Sequence, residues 1–74
     1  MDNLMYAVLV DGVEAARYPS AFGPEGVMLR FFREKRVRRW NRLPAPEGAA
    51  RASTADLTDV VGRSMVVARP VGPA

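Results

Sequence analysis

Residues 3–18 read NLMYAVLVDGVEAARY, two strand-forming runs either side of Asp11-Gly12. β-Branched and aromatic side chains suit a pleated, half-buried surface, and both runs are rich in apolar residues. In the first run Leu4, Tyr6, Val8 and Val10 share one face, and Met5, Ala7 and Leu9 share the other. Both faces are apolar, which describes a strand covered on both sides or one with a face used for contact. Asp-Gly is the strongest short-range hairpin signal, because both residues of a tight type I′ turn need positive φ. The return strand is Val13 to Tyr18, ended by Pro19, since proline cannot donate to a ladder.

Downstream, GVMLRFF (residues 26–32) is tested against both periods. At 100° per residue Val27, Met28, Phe31 and Phe32 fall together, with Leu29 at the margin and Arg30, Arg33 and Glu34 opposite. That is an amphipathic helix. Pro24 suits its first position and Glu25 its positive end. Lys35 would land in the apolar stripe, so the helix should stop near Glu34 to Arg36. Gly26 weighs against it, at about 1 kcal/mol for a glycine inside a helix. The strand alternative groups Val27, Leu29 and Phe31 and makes REKR a turn. The helix is preferred and the strand stays open.

Val37 to Leu43 is expected to be a short extended piece, an edge strand whose arginines discourage unwanted pairing. Pro44, Pro46 and Gly48 mark a flexible loop to about Ala52. Ser53, with Asp56 three residues on, has a weak capping-box pattern. With Leu57, Val60 and Val61 as a stripe and Gly62 as terminator, it predicts a short helix. Ser64 to Arg69 (SMVVAR) predicts a last strand. The expected fold class is therefore α+β: a small antiparallel sheet, from the N-terminal hairpin and the C-terminal strand, packed with one main and one short helix. Residues 1–69 form a single domain, and 70–74 (PVGPA) a flexible tail whose removal leaves stability unchanged.

Composition narrows function. A chain of 74 residues is one domain at most and buries only about 60% of its unfolded surface. Cysteine and histidine are absent, which excludes disulfides and thiolate metal sites and removes the commonest neutral-pH base. No targeting segment is visible: Leu4 to Val10 follows Asp2 and is too short for a signal core or a span. The expected location is the cytoplasm, without membrane association.

Charge is unevenly placed. Seven of the eleven basic residues lie between Arg30 and Arg42, in RFFREKRVRRWNR, with Glu34 as the sole acid, so this window carries +6 and the rest −3. Arginine forks bind carboxylates and phosphates in bidentate fashion, and interleaved aromatics anchor interfaces or stack on bases. Arg33, Lys35, Arg36, Arg38, Arg39, Trp40 and Arg42 are the candidate partner-binding residues. The bland alternative is a solvated basic face, with Phe31 and Phe32 in the core. That core role is preferred for the two phenylalanines. Recognition is preferred for Arg38, Arg39, Trp40 and Arg42, although Trp40 could instead pack on arginine stems at the sheet.

The carboxylates suggest no reaction. Asp11 is explained by the turn and Asp56 by the cap; Asp59 completes no metal set; Asp2, Glu14, Glu25 and Glu47 read as surface charge. The serines and threonines have no base to activate them, and the glycine spacings match neither a phosphate loop nor a dinucleotide fingerprint. The expectation is a non-enzyme without cofactor, metal or small-molecule substrate. Three classes remain: a regulator binding a large acidic or nucleic-acid-handling machine, a direct nucleic-acid binder, and a self-assembling component.

The short chain, its opening MDNLMYAVLVDG and its run FFREKRVRRW resemble the small RNA-polymerase-binding transcription regulators of lytic xanthomonad phages. The resemblance implies binding to host RNA polymerase near the N-terminus of the β′ subunit. It further implies inhibition of host initiation by dislodging σ, and antitermination. It transfers no binding residue, so the candidate residues rest on charge. A secondary nucleic-acid contact, or another phage inhibitor such as an anti-CRISPR protein binding an acidic host surface, fits the same composition.

Overall fold

The computed structural model describes residues 4–57 and 63–71. Five strands, β1 (Met5–Val10), β2 (Val13–Pro19), β3 (Trp40–Leu43), β4 (Arg51–Asp56) and β5 (Arg63–Val71), form one sheet in the order β2-β1-β5-β4-β3. Every neighbouring pair is antiparallel. A 3₁₀ turn (Ser20–Phe22) leads into one helix, α1 (Gly23–Glu34). The fold is α+β, with a small antiparallel sheet and a main helix.

The hairpin forms where the sequence places it. Asp11 and Gly12 take φ of 50° and 89°, the positive pair a type I′ turn requires. The turn is also tied to the central strand. Asp11 N donates to Met65 O at 2.9 Å, and Met65 N donates to Asp11 Oδ1 at 2.9 Å. A bulge between Val8 and Leu9 adds twist beside the turn.

The helical period wins over 27–32. Val27, Met28, Phe31 and Phe32 are all buried, against Val8, Ala55, Val66 and Ala68 of the sheet. Phe31 and Phe32 are 1% and 2% exposed, so both are core residues. Burying two phenylalanines, each contributing about 2 kcal/mol or more, outweighs the cost of Gly26. Pro24 lies in the first turn. Val37 N donates to Phe32 O at 2.9 Å, and Arg36 N to Arg33 O at 3.2 Å. These bonds form a Schellman cap. Arg36 holds the left-handed position at φ 55°, where glycine is usual, and Val37 is buried against the core.

Two expectations need correction. Ser53 does not cap a helix: Arg51–Asp56 is a strand, pairing Ser53 with Val66 and Ala55 with Ser64 on one side, and Arg42 and Trp40 on the other. Ala52, Ser53 and Ala55 are buried. Strand partners on both sides of β4 override a weak local pattern. The loop expected to reach Ala52 accordingly ends at Ala50. Leu57 joins the core, and the remainder of the expected helix, 58–62, lies outside the described residues. The second correction concerns the tail. β5 continues through Pro70 and Val71, which pair with Tyr6 and Met5; residues 72–74 lie outside the described residues.

Helix α1 covers one sheet face. On the other, Met5, Leu9 and Val67 are half-buried and Met65 is exposed, around the buried Ala7 and Ala52. No helix among the described residues is long and apolar enough to cross a membrane.

Candidate partner-binding surface

The basic window is built by the end of α1, the turn after it and β3. The left-handed Arg36 reverses the chain and Val37 pins it to the core. Arg38 and Arg39 then run outward to β3, which lies at the sheet edge and pairs only with β4. All seven candidates, Arg33, Lys35, Arg36, Arg38, Arg39, Trp40 and Arg42, are exposed. They form a ribbon from the end of α1 along the β3 edge rather than a single pocket. Arg38, Arg39 and Trp40 line one hollow with Asn41 and Arg63. Arg36, Arg38 and Arg39 line another with Asp56 and Leu57. Arg33 and Lys35 stand apart on the helix end, where Lys35 Nζ lies 5.9 Å from the Phe31 ring centre.

Among the described residues no carboxylate is ion-paired with a cation of the window. The ion pairs among the described residues are Arg17–Glu14, Arg51–Glu25 and Arg63–Asp56, and each uses an arginine from outside residues 30–42. Glu34, the one acid in the window, accepts a hydrogen bond from Tyr18 Oη instead. That bond ties β2 to the last turn of α1. Burial and the facing Glu34 carboxylate push the Tyr18 phenol up to about 12. Arg30 spends its guanidinium on the Phe22 ring, 3.9 Å from its centre, as a cation–π contact.

Trp40 is neither core nor fully free. Its ring lies 4.9 Å from that of Phe32 at 32°, a stacking range for aromatic pairs, and it is 42% exposed. Phe32 supports it from the core side. One face is held rigidly against the core and the other is open to a partner, the condition for an interface anchor that loses little entropy on binding.

Beside Trp40 runs a groove of about 310 Å³ between α1 and the β3–β4 edge. Glu25, Met28, Leu29 and Phe32 line its helix wall, at the i, i+3, i+4, i+7 spacing of a single helix side. Trp40, Asn41, Arg42, Arg51 and Ser53 line the sheet wall. Arg51 Nη2 reaches Glu25 Oε1 at 3.6 Å across it. The groove is apolar along the helix and cationic at its mouth. Sequence reading missed Glu25, Met28, Leu29, Asn41, Arg51 and Ser53 as groove residues. The helical spacing was the available signal for the first three. Arg51 and Ser53 were hidden by the misread β4.

Among the described residues no group of three histidines, cysteines or carboxylates could hold a metal. No family model, curated protein or solved structure matches the chain.

Proposed function

We propose that this chain is a non-catalytic binding module that docks its basic, tryptophan-bearing edge on an acidic surface of a larger partner in the cytoplasm. The single observation that carries the reading is the unpaired state of the window. Of the six arginines and one lysine between residues 30 and 42, none is ion-paired with a carboxylate among the described residues. Crowded like charges destabilise the compact state by self-repulsion, and an acidic partner would relieve that repulsion while drawing fast, salt-sensitive association.

The resemblance of the chain to phage regulators makes bacterial RNA polymerase the partner to test first, with the β′ N-terminal region as the contact and altered initiation and antitermination as the consequences. Nucleic acid could supply phosphates to the same arginines, and the two readings separate by nuclease treatment. The test is the affinity of purified, nucleic-acid-free bacterial RNA polymerase for the wild-type chain and for the double variant Arg38→Glu, Arg39→Glu, with a melting curve of each. The expected result is a fall in affinity of at least tenfold, about 1.4 kcal/mol, with the melting temperature held within a few degrees. Unchanged affinity would remove the basic edge from the interface.

A further inference from the structure

We propose that the outer edge of β3 and the groove beside it accept an extended acidic segment of the partner by strand addition. The inference rests on the binding reading above and specifies how that surface engages its partner.

The backbone register sets the geometry. Asp56 N donates to Arg39 O at 3.1 Å, so Arg39 and Asp56 are a hydrogen-bonded pair. Bonded and non-bonded pairs alternate along an antiparallel ladder. With Trp40 opposite Ala55 and Arg42 opposite Ser53, the bonded pairs are then Asn41–Thr54 and Leu43–Ala52. The N–H and C=O groups of Trp40 and Arg42 therefore point away from β4, out of the sheet edge. They are the groups an added strand would use.

The side chains define the occupant. Ser53 and Ala55 are buried beneath α1, and their opposite partners Arg42 and Trp40 lie on that same sheet face. An incoming strand would place alternate residues over this face. A residue beside Trp40 faces the mouth of the groove, where Trp40 itself and Leu29 are the exposed apolar side chains. A residue two positions along meets Arg42, which has no carboxylate partner among the described residues. On the far side of Trp40 stand Arg38 and Arg39. The complementary pattern is an apolar side chain with acids two residues to either side, in an extended segment.

The opposite edge, β2, fits this role less well. It carries Pro19, a bulge across its pairing and an Arg17–Glu14 ion pair that neutralises its own charge, and it has no adjoining groove among those described. The β3 edge combines free main-chain groups, an apolar slot and uncompensated cations.

The probe is a blocked, dye-labelled heptapeptide, Thr-Glu-Thr-Phe-Thr-Glu-Thr, titrated into the full chain labelled with ¹⁵N. Saturable binding is expected, with shifts and at least tenfold slowed exchange at the Trp40 and Arg42 amides. The same peptide N-methylated at alternate residues should lose at least tenfold in affinity, because its main chain can no longer pair. Arg42→Pro, which removes an outward N–H, should weaken binding further than Arg42→Ala, which removes only the charge; the N-methylated peptide keeps the test intact should the proline variant unfold. Equal affinity of the methylated peptide, or shifts confined to other surfaces, would overturn strand addition. So would protection of these amides by an oligothymidylate but not by the peptide, or their protection by self-association alone. If RNA polymerase binding falls on reversal of Arg38 and Arg39 while peptide and proline tests are flat, strand addition fails and the basic-edge reading stands.

Discussion

Arg36 sits at the left-handed position of a Schellman cap, φ 55°, where a side chain costs about 1–2 kcal/mol relative to glycine. The chain thus carries a cation at a strained site that glycine would fill more stably, and strain of this kind concentrates where function demands it. Arg36→Gly is expected to raise stability by about 1 kcal/mol and to weaken partner binding; chemical denaturation and an affinity measurement on the same variant check both signs. A variant that is less stable would mean that the arginine is there for the fold. Tyr18 makes the complementary case of a charge kept out of the window. Burial, and then its bond to Glu34, raise the phenol to about 12. A group whose folded pKa lies above its unfolded value, about 10 for tyrosine, stabilises fully below the unfolded pKa and loses that contribution as pH rises through the folded one. Wild type should therefore exceed Tyr18→Phe in stability from pH 7 to about 10, with the advantage shrinking between pH 10 and 12. Urea melts of both proteins at pH 8 and pH 11.5 read this out; parallel loss in the two would disconnect Tyr18 from the alkaline response.

Each element's legibility in the sequence followed from how local its determinants are. The hairpin was legible because Asp11-Gly12 fixes its turn with two residues, and α1 because four apolar side chains repeat at its period. β3 occupies Trp40–Leu43, the second half of the extended piece expected over Val37 to Leu43, with Val37 taken into the helix cap instead, and Phe31 and Phe32 are buried as expected. β4 was not legible. Its six residues, RASTAD, have small side chains and a serine-to-aspartate spacing that imitates a cap, and they become a strand only because β3 and β5 supply partners on either side. The groove was lost with it, since Arg51 and Ser53 form part of its wall. The end of β5 was misjudged for a related reason: Pro70 looks like a terminator, yet it sits in the strand opposite Tyr6. The tail is consequently expected to contribute. Truncation after Arg69 removes Val71 from its pairing with Met5 and should lower stability by about 1 kcal/mol, measured by thermal melting; an unchanged melting curve would show that β5 needs no support beyond Arg69.

Over the whole molecule, a sheet and helix with a modest core hold a tryptophan and a ribbon of cations at one edge. Among the described residues the ion pairs fall elsewhere, on Arg17, Arg51 and Arg63, and none takes up a cation of the ribbon. Surface pairs of this kind contribute about 0–1 kcal/mol each, too little to explain the placement of six cations by stability. The proposed affinity for an acidic partner would explain it, and its salt dependence should be steep because exposed charges are screened beyond about 10 Å at 0.1 M ionic strength. The most direct measurement is an amide hydrogen-exchange footprint of the intact chain bound to purified bacterial RNA polymerase. The account predicts protection concentrated on residues 36–43. Protection confined to the open sheet face around Met65 and Val67, with residues 36–43 exchanging as in the free chain, would contradict it.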